Sequence, residues 1–374
     1  MPVARQNEIS SFLLDRIHAG DFPSAVYVVA EKGHEIFADA LGDAVREPEH
    51  IPARRDTIYD LASLTKPLIT GLLTARFVES GELTIEAPIS SYLSEFDRQG
   101  KSPITVRQLL THTSGLPAWR PLYLLTSDRD KVLATIATEP LQNKPGERVV
   151  YSDLGFIVLG FLLQRLSGLT LKDLAQDQIF TLLQLGQTFF NPSQAARTGV
   201  AACENGNAYE RDMCERDFSS NTYNWREGIV WGEVHDGNAY FLGGVAGHAG
   251  LFSSAEETLK LANQFIAGQS QLLKPATCEL FRRNMTEGLN EARSFAWQLA
   301  VTKESTAGSS LPAAAFGHTG FTGTSCWIDA AAQRVFILLT NRTHARTLPF
   351  TNINSVRRQF HTLAVKALGK TAVS

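Results

Sequence analysis

A serine and a lysine three positions apart are the residues best suited to covalent chemistry. Ser63 and Lys66 stand at the start of an apolar run, residues 68–78, whose spacing predicts a helix. On a helix that begins at Ser63, the two side chains share one face, one turn apart. A lysine removed from water has a lowered pKa, so a neutral Lys66 amine can accept the Ser63 proton. Alone, the pair also fits a helix-capping serine beside a surface lysine.

The composition limits the classes of function. The chain has 374 residues, 44% of them hydrophobic, which suffices for one large catalytic unit or for two lobes. The formal net charge of -3 does not favour nucleic acid or an anionic membrane as a partner. No apolar run in the sequence reaches the roughly 20 residues that a transmembrane helix needs.

The cysteines and the N-terminus bear on the compartment. None of the four cysteines belongs to a Cys-x-x-Cys pair, so the sequence predicts no metal site and no cofactor, and free thiols are expected. A bridge between Cys203 and Cys214 is the less favoured alternative. The N-terminus lacks the basic-then-apolar order of a signal peptide. We therefore expect a cytoplasmic protein, or a periplasmic or secreted one if a leader has been removed.

Strand-like segments lie at both ends of the sequence and helix-like segments in the middle. After an amphipathic helix at residues 8–18, a hairpin is predicted from segments 24–30 and 35–42. Further strands are predicted at 295–301, 316–320, 324–329 and 334–341, and a last helix at 359–368. We predict an α/β (α+β) fold with one antiparallel sheet built from both chain ends, flanked by helices, and an inserted, mostly helical lobe. The predicted α/β lobe comprises residues 1–62 and 251–374, the helical lobe residues 63–250, and the active site lies between them.

One long segment of the middle region is rich in aromatic residues. Seven of them fall within residues 204–246: Tyr209, Phe218, Tyr223, Trp225, Trp231, Tyr240 and Phe241. The segment is too long for an ordinary loop in a compact domain. Two interpretations stay equally open, a wall of a cleft or a small aromatic core beneath a surface insertion.

Two later motifs give the Ser63–Lys66 pair its context. Tyr151-Ser152-Asp153 precedes an apolar helix at residues 154–166, and His318-Thr319-Gly320 follows a predicted strand. Ser-x-x-Lys, Tyr-x-Asn and Lys-Thr-Gly, in this order, are the signature of the penicillin-recognising serine hydrolases. The chain resembles the branch of that family with class C β-lactamases, D,D-carboxypeptidases, D-aminopeptidases and related esterases. Residues 109–116 and 247–253 also resemble that branch.

The chain departs from the family pattern at two positions. Asp153 stands where the family usually has Asn, and an ionised Asp cannot donate a hydrogen bond to a substrate carbonyl but favours a cation such as Lys66. His318 stands where β-lactamases have Lys, and its imidazole is expected to attract an anionic substrate weakly and in a pH-dependent way. Both changes argue against an efficient β-lactamase and leave the serine chemistry intact.

The resemblance implies acyl transfer through a covalent intermediate on Ser63. Lys66 and Tyr151 would share the general-base work, and a nearby cation would lower the pKa of Tyr151. The implied oxyanion hole maps to the backbone N–H groups of Ser63 and Phe321. The implied substrate-binding residues are Asp153, His318, Thr319, Gly320 and Phe321.

The predicted function is therefore a serine hydrolase for small esters, or for D-amino-acyl or peptidoglycan-derived amides, with weak β-lactamase activity allowed. The alternative is a penicillin-recognising binding or sensor protein that turns nothing over. His112 and His248 are interpreted as structural residues, and a metal site or dyad at His235-Asp236 is disfavoured because no third ligand stands at a suitable spacing. The oligomeric state does not follow from the sequence.

Overall fold

The computed structural model describes residues 2–218 and 223–369, so part of the aromatic segment, residues 219–222, lies outside the described residues. Within these ranges ten strands form. They are β1 (Ser24–Glu31), β2 (His34–Val45), β3 (Ile51–Pro52), β4 (Tyr59–Asp60), β5 (Phe189–Phe190), β6 (Leu251–Ser253), β7 (Gln298–Leu299), β8 (Phe316–Thr319), β9 (Ser325–Asp329) and β10 (Arg334–Thr340).

Twelve α-helices accompany the strands in the same described ranges, together with short 3-10 and π-helical turns. They are α1 (Pro2–His18), α2 (Leu72–Ser80), α3 (Val106–Leu110), α4 (Leu122–Leu125), α5 (Val132–Thr138), α6 (Asp153–Ser167), α7 (Leu171–Ala175), α8 (Ala208–Phe218), α9 (Gly237–Phe241), α10 (Ala255–Ala262), α11 (Pro275–Cys278) and α12 (Asn354–Leu368). In this part of the chain no single helix is long and apolar enough to cross a bilayer, although the bent pair Asp153–Ser167 and Leu171–Phe180 meets that test by length and composition.

The main sheet has seven strands in the order β3-β2-β1-β10-β9-β8-β7. Every pairing in it is antiparallel, and β1 from the N-terminal end pairs directly with β10 from the C-terminal end. The predicted antiparallel sheet built from both chain ends is therefore confirmed. Both faces of the sheet are covered by helices. Alternate residues of β1 show this, since Val26 and Val28 face one hydrophobic core and Tyr27 and Val29 face the other.

The second core fixes the two chain ends on one face of the sheet. It includes Ile9 and Leu13 of α1 and Phe360 and Ala364 of α12, all with no exposed surface. Between β3 and β7 the chain leaves the main sheet, and this stretch is mostly helical with one small sheet in the order β4-β6-β5. The predicted division into lobes at residues 62 and 250 stays a prediction.

Two predicted elements differ from the structure. The helix expected to begin regularly at Ser63 starts as a 3-10 turn, Ala62–Leu64, followed by a π-helical turn, Lys66–Gly71, before α2. Pro67 has no N–H to donate within this first stretch, which contributes to the irregular start. The strand expected at 295–301 is reduced to β7, because Phe295 and Trp297 are buried in the core instead of lying in the sheet.

Candidate active site

Three distant segments meet around one cavity of about 530 Å³. Seven of the eight predicted site residues line it: Ser63, Tyr151, Asp153, His318, Thr319, Gly320 and Phe321. The eighth, Lys66, lies beneath the cavity wall with a fully buried side chain. The chain thus brings the three motifs together, as their order in the sequence predicted.

The turn that carries Ser63 is held in an unusual conformation. Ala62 has a φ of 47°, a left-handed conformation, and its N–H donates to Asp60 Oδ1 at 2.8 Å. Thr322 Oγ1 donates to the carbonyl of Asp60 at 2.8 Å, and Thr324 Oγ1 to that of Leu61 at 3.0 Å. The nucleophile turn is therefore tied directly to the loop that follows β8.

Gly320 allows this close approach. A Cβ atom at that position would lie 2.1 Å from Thr324 Oγ1 and 2.5 Å from the carbonyl oxygen of Leu61. Any larger residue would separate the third motif from the nucleophile turn. The requirement for glycine in His318-Thr319-Gly320 is thus steric.

Lys66 Nζ lies within reach of three oxygen atoms. It is 3.0 Å from Ser63 Oγ, 3.1 Å from the carbonyl oxygen of His248 and 2.7 Å from Asp153 Oδ1. Burial alone would lower the pKa of Lys66. The charge of Asp153 and the neighbouring Tyr151 together raise this pKa by more than burial lowers it, so the net pKa is above the ordinary value. The neutral Lys66 amine expected from the sequence is therefore wrong, because a pKa above the ordinary value keeps Lys66 an ammonium ion near neutral pH.

Tyr151 is placed against this cation but is not ionised by it. The Lys66 ammonium lies 4.9 Å from the centre of the Tyr151 ring, and both Lys66 and Ser63 interact with the phenol. Burial raises the pKa of Tyr151 by more than Lys66 lowers it, and the negative charge of Asp153 raises it again. The lowered pKa predicted for Tyr151 is thus wrong, because burial outweighs the attraction of the cation.

His318 is a neutral imidazole in this site. Burial and the positive charges of Lys66 and Arg293 hold its pKa well below the ordinary value. Its Nδ1 lies 2.9 Å from the carbonyl oxygen of Thr319, so Nδ1 carries the proton. The pH-dependent positive charge that the sequence suggested for His318 is therefore wrong near neutral pH.

Asp153 is the first residue of α6. Ser152 caps that helix by accepting from the N–H of Gly155, and the N–H of Asp153 donates to the carbonyl of Ala118 at 2.9 Å. This geometry directs the carboxylate towards Lys66, and the expected preference of Asp153 for that cation agrees with the 2.7 Å separation. Its role as a substrate ligand stays a prediction.

The two backbone N–H groups predicted for an oxyanion hole belong to Ser63 and Phe321. Among the described residues, neither N–H donates to a protein acceptor, so both are available to a ligand. The ring of Phe321 is fixed by Tyr209, with ring centres 4.8 Å apart, and by the guanidinium of Arg342 at 4.7 Å. The oxyanion role itself stays a prediction.

The aromatic segment, residues 204–246, both forms part of the cavity wall and contains a small aromatic core. Tyr209, His235 and Asp236 line the cavity, while Tyr223 and Trp225 pack against Tyr123 to form an aromatic cluster. The other residues of the segment that line the cavity are Glu210 and Met213.

The histidines in and near this segment form two separate pairs with carboxylates. His235 Nε2 lies 3.0 Å from Glu204, and His248 Nε2 lies 2.9 Å from Asp236. No group of three or more metal-ligating side chains occurs in residues 2–218 and 223–369. In the described ranges all four cysteines are free, buried thiols, so Cys203 and Cys214 form no bridge.

Sequence reasoning missed the arginines of the cavity. Arg293, Arg342 and Arg357 all line it, together with Asn354, although none belongs to a motif. Arg357 lies in α12 and donates to the carbonyls of Gly320 at 2.7 Å and Thr324 at 3.1 Å. Only the tertiary structure brings this last helix to the third motif.

Comparisons with known proteins agree with this geometry. A family model described as Beta-lactamase matches residues 11–356. The chain is 32% identical over 358 residues to the N-acetylmuramyl-L-alanine amidase of Bacillus subtilis (strain 168), covering 89% of this chain and 80% of the relative. It is 29% identical over 371 residues, 92% of this chain and 83% of the relative, to an Escherichia coli (strain K12) protein with the provisional name D-alanyl-D-alanine carboxypeptidase.

Solved structures share the fold. EstCE1, a hydrolase with promiscuous acyltransferase activity, aligns with a TM-score of 0.73 at 23% identity over 99% of this chain and 98% of its own. A β-lactamase/D-alanine carboxypeptidase from Pseudomonas syringae aligns with a TM-score of 0.75 at 17% identity over 98% and 100%. The chain therefore belongs to the β-lactamase family and is a hydrolase of its serine-dependent kind.

Proposed function

We propose that this hydrolase forms an acyl-enzyme on Ser63 and cleaves amides or peptides derived from peptidoglycan that carry a carboxylate. The observation that carries the proposal is a pair of guanidinium groups in the cavity that also holds Ser63. The relatives named as an amidase and as a carboxypeptidase support the amide class.

Arg342 and Arg357 form the positive end of the cavity. Within the described ranges neither forms an ion pair with a carboxylate, and both donate to neutral oxygens such as the carbonyls of Phe321 and Gly320. Burial and the charge of Arg342 lower the pKa of Arg357 to about 9. An anion bound here would relieve that repulsion, and Arg is suited to bind a carboxylate through two hydrogen bonds.

The charge states of the site define the path of the proton. As Ser63 Oγ bonds to the substrate carbonyl carbon, its proton passes to Lys66, which releases one of its own to Asp153. The phenol of Tyr151 then donates a proton to the leaving nitrogen as the C–N bond breaks, and the proton on Asp153 returns to Tyr151 through Lys66. Water repeats the attack on the acyl-enzyme and releases Ser63.

A set of matched substrates tests the proposal. Peptides ending in D-alanyl-D-alanine, and N-acetylmuramyl-L-alanine, are compared with the same compounds carrying a C-terminal carboxamide and with the neutral ester p-nitrophenyl acetate. We expect the carboxylate forms to have a kcat/KM roughly tenfold or more above that of their carboxamides, the size of one charge-assisted hydrogen bond. Arg342→Gln should narrow that difference, and Ser63→Ala should abolish turnover of every substrate while leaving the thermal unfolding curve unchanged.

The same panel separates the alternatives. Equal turnover of carboxylates and carboxamides, with faster cleavage of p-nitrophenyl acetate, would favour an esterase. Saturable binding without turnover would favour the binding or sensor protein. A fluorescent penicillin that labels Ser63 would show that the cavity admits β-lactams.

A further inference from the structure

We propose that His112 is the positioning residue for Tyr151, holding its phenol in place through the backbone on both sides of it. The inference rests on the proposed function, because it assigns the task to Tyr151 in acyl transfer. His112 lies at the C-terminal end of α3, in the loop whose sequence alone suggested a merely structural residue.

Three successive residues, Val150 and the first two residues of the second motif, contact His112. The N–H of Val150 donates to the His112 carbonyl at 2.8 Å, and the N–H of Ser152 donates to His112 Nδ1 at 3.0 Å. Between these two bonds, the Tyr151 ring lies against the imidazole with ring centres 4.5 Å apart. One residue therefore fixes both peptide groups beside Tyr151 and one face of its ring.

The chemistry of the imidazole suits this task. An Nδ1 atom that accepts from a backbone N–H carries no proton, so the ring is neutral with the proton on Nε2. Burial and the positive charges of Arg293 and Lys66, with His318 nearby, hold the pKa of His112 well below the ordinary value. On its far side the ring packs against Phe156 of α6 at 5.1 Å. The acceptor therefore persists throughout the physiological pH range.

The backbone restricts which residues can replace His112. Its φ is 59°, a left-handed conformation that asparagine tolerates better than most residues. The Oδ1 atom of an asparagine occupies nearly the position of Nδ1, so His112→Asn keeps the acceptor for Ser152 and loses the ring. His112→Phe keeps the ring and leaves the Ser152 N–H buried without an acceptor.

The two variants form a matched pair for kinetics. With p-nitrophenyl acetate and the peptide substrates, we expect His112→Phe to lower kcat by roughly 100-fold with little change in KM, the effect of a misplaced catalytic group. His112→Asn should stay within about fivefold of the wild type. Thermal unfolding is recorded for each, and if His112→Phe does not fold, His112→Ala replaces it as the variant without an acceptor.

A double-mutant cycle decides whether His112 acts through Tyr151. We expect His112→Phe to have little further effect on kcat in a Tyr151→Phe background. An equal loss in both backgrounds, or an active His112→Phe beside an inactive His112→Asn, would overturn the inference. So would a Tyr151→Phe variant as active as the wild type. Should Ser63→Ala retain activity, the proposed function itself fails, and that result is distinct from each of these.

Discussion

Two opposing effects act on the Lys66 amine. Burial disfavours its charge, but Asp153 at 2.7 Å and Tyr151 together favour it by more, so the net pKa of Lys66 is raised. The motif that this segment resembles, Tyr-x-Asn, has an uncharged Asn at this position. On the proposed path, the reaction therefore starts from an ammonium–carboxylate pair, and Asp153 holds the proton of Ser63 until it passes to Tyr151.

Replacing that carboxylate should change the pH dependence of catalysis. In Asp153→Asn, Lys66 loses the charge that raises its pKa, and burial then lowers it. In the variant the proton of Ser63 can be taken only by a neutral Lys66. An amine becomes neutral only as the pH rises, so the acid limb of the kcat/KM profile should move to higher pH by roughly one unit or more.

The measurement is kcat/KM for p-nitrophenyl acetate from about pH 5 to about pH 9. Glu304→Gln is the control, because it removes an exposed carboxylate at the cavity that has no contact with Lys66. An unchanged acid limb in Asp153→Asn would exclude Asp153 from the proton path.

The sequence predicts which residues meet but not their charges. The order of the three motifs was enough to expect Ser63, Tyr151 and His318 in one site. The pKa values of Lys66, Tyr151 and His318 depend on burial and on neighbours from distant segments, such as Arg293, and no local pattern contains that information. The charge states predicted for these three residues from residue type alone were wrong because that information was missing.

At the level of elements, the segment that carries Lys66 depends on a close packing contact behind it. Thr70 Oγ1 donates to the carbonyl of Gly247 at 2.6 Å, and the next carbonyl, of His248, faces Lys66. Gly247 in turn lies against Gly160 of α6, so closely that a Cβ atom on Gly160 would lie 3.0 Å from the backbone nitrogen of Gly247. The loop at 247–248 therefore links the nucleophile segment to the central apolar helix.

Gly247→Ala should disturb this contact. The new Cβ would lie 2.1 Å from the carbonyl oxygen of Phe156, so backbone must move, and we expect a loss of about 1–3 kcal/mol in the free energy of unfolding. Because the His248 carbonyl moves with it, kcat should fall as well. Urea denaturation and kcat measure the two effects. Gly199→Ala serves as the control, since its Cβ meets nothing within 4 Å. Equal stability of the two variants would show that the loop can shift freely.

Element types were easier to predict than their ends. The strongly alternating or apolar segments, such as β1, β10 and α6, stand where the sequence predicted them. The irregular start before α2 depends on the tertiary contacts of the nucleophile turn, and the cavity residues of α8 and α12 depend on packing between segments far apart in sequence. Periodicity reports which face of an element is buried but not what that face contacts.

At the scale of the whole molecule, direct contacts connect the two chain ends to the active site. The pairing of β1 with β10 joins the two ends of the sequence, and α12 packs behind the sheet while Arg357 reaches the carbonyl of Gly320. A change in the last helix is thus transmitted to the third motif. The buried histidines of this arrangement also link its stability to pH.

Four buried histidines have lowered pKa values in the folded chain: His112, His318, His344 and His361. A histidine whose folded pKa is depressed contributes stability above its unfolded pKa of about 6.5, and this is lost as the pH falls, because the unfolded chain binds the proton more readily. Three groups act in the opposite sense: burial raises the pKa of Glu210 to about 7 and also raises that of Asp60, and for His235 the effect of burial is outweighed by Glu204, so its pKa is raised as well. They are three groups against four. The free energy of unfolding should therefore decrease from about pH 7 towards pH 5.

His361 offers the clearest test of this linkage. Burial lowers its pKa to about 3, and its Nδ1 lies 2.6 Å from the carbonyl oxygen of Thr306. Thr306 lines the cavity, whereas His361 itself does not. His361→Gln can keep that hydrogen bond without titrating, so the slope of unfolding free energy against pH should fall by about 1.4 kcal/mol per pH unit, the equivalent of one proton, between about pH 6.5 and pH 3. Urea denaturation at stepped pH measures the slope, with the exposed His34→Gln as control. An unaltered slope in His361→Gln would mean that this imidazole accepts its proton in the folded chain and would remove it from the account of acid stability.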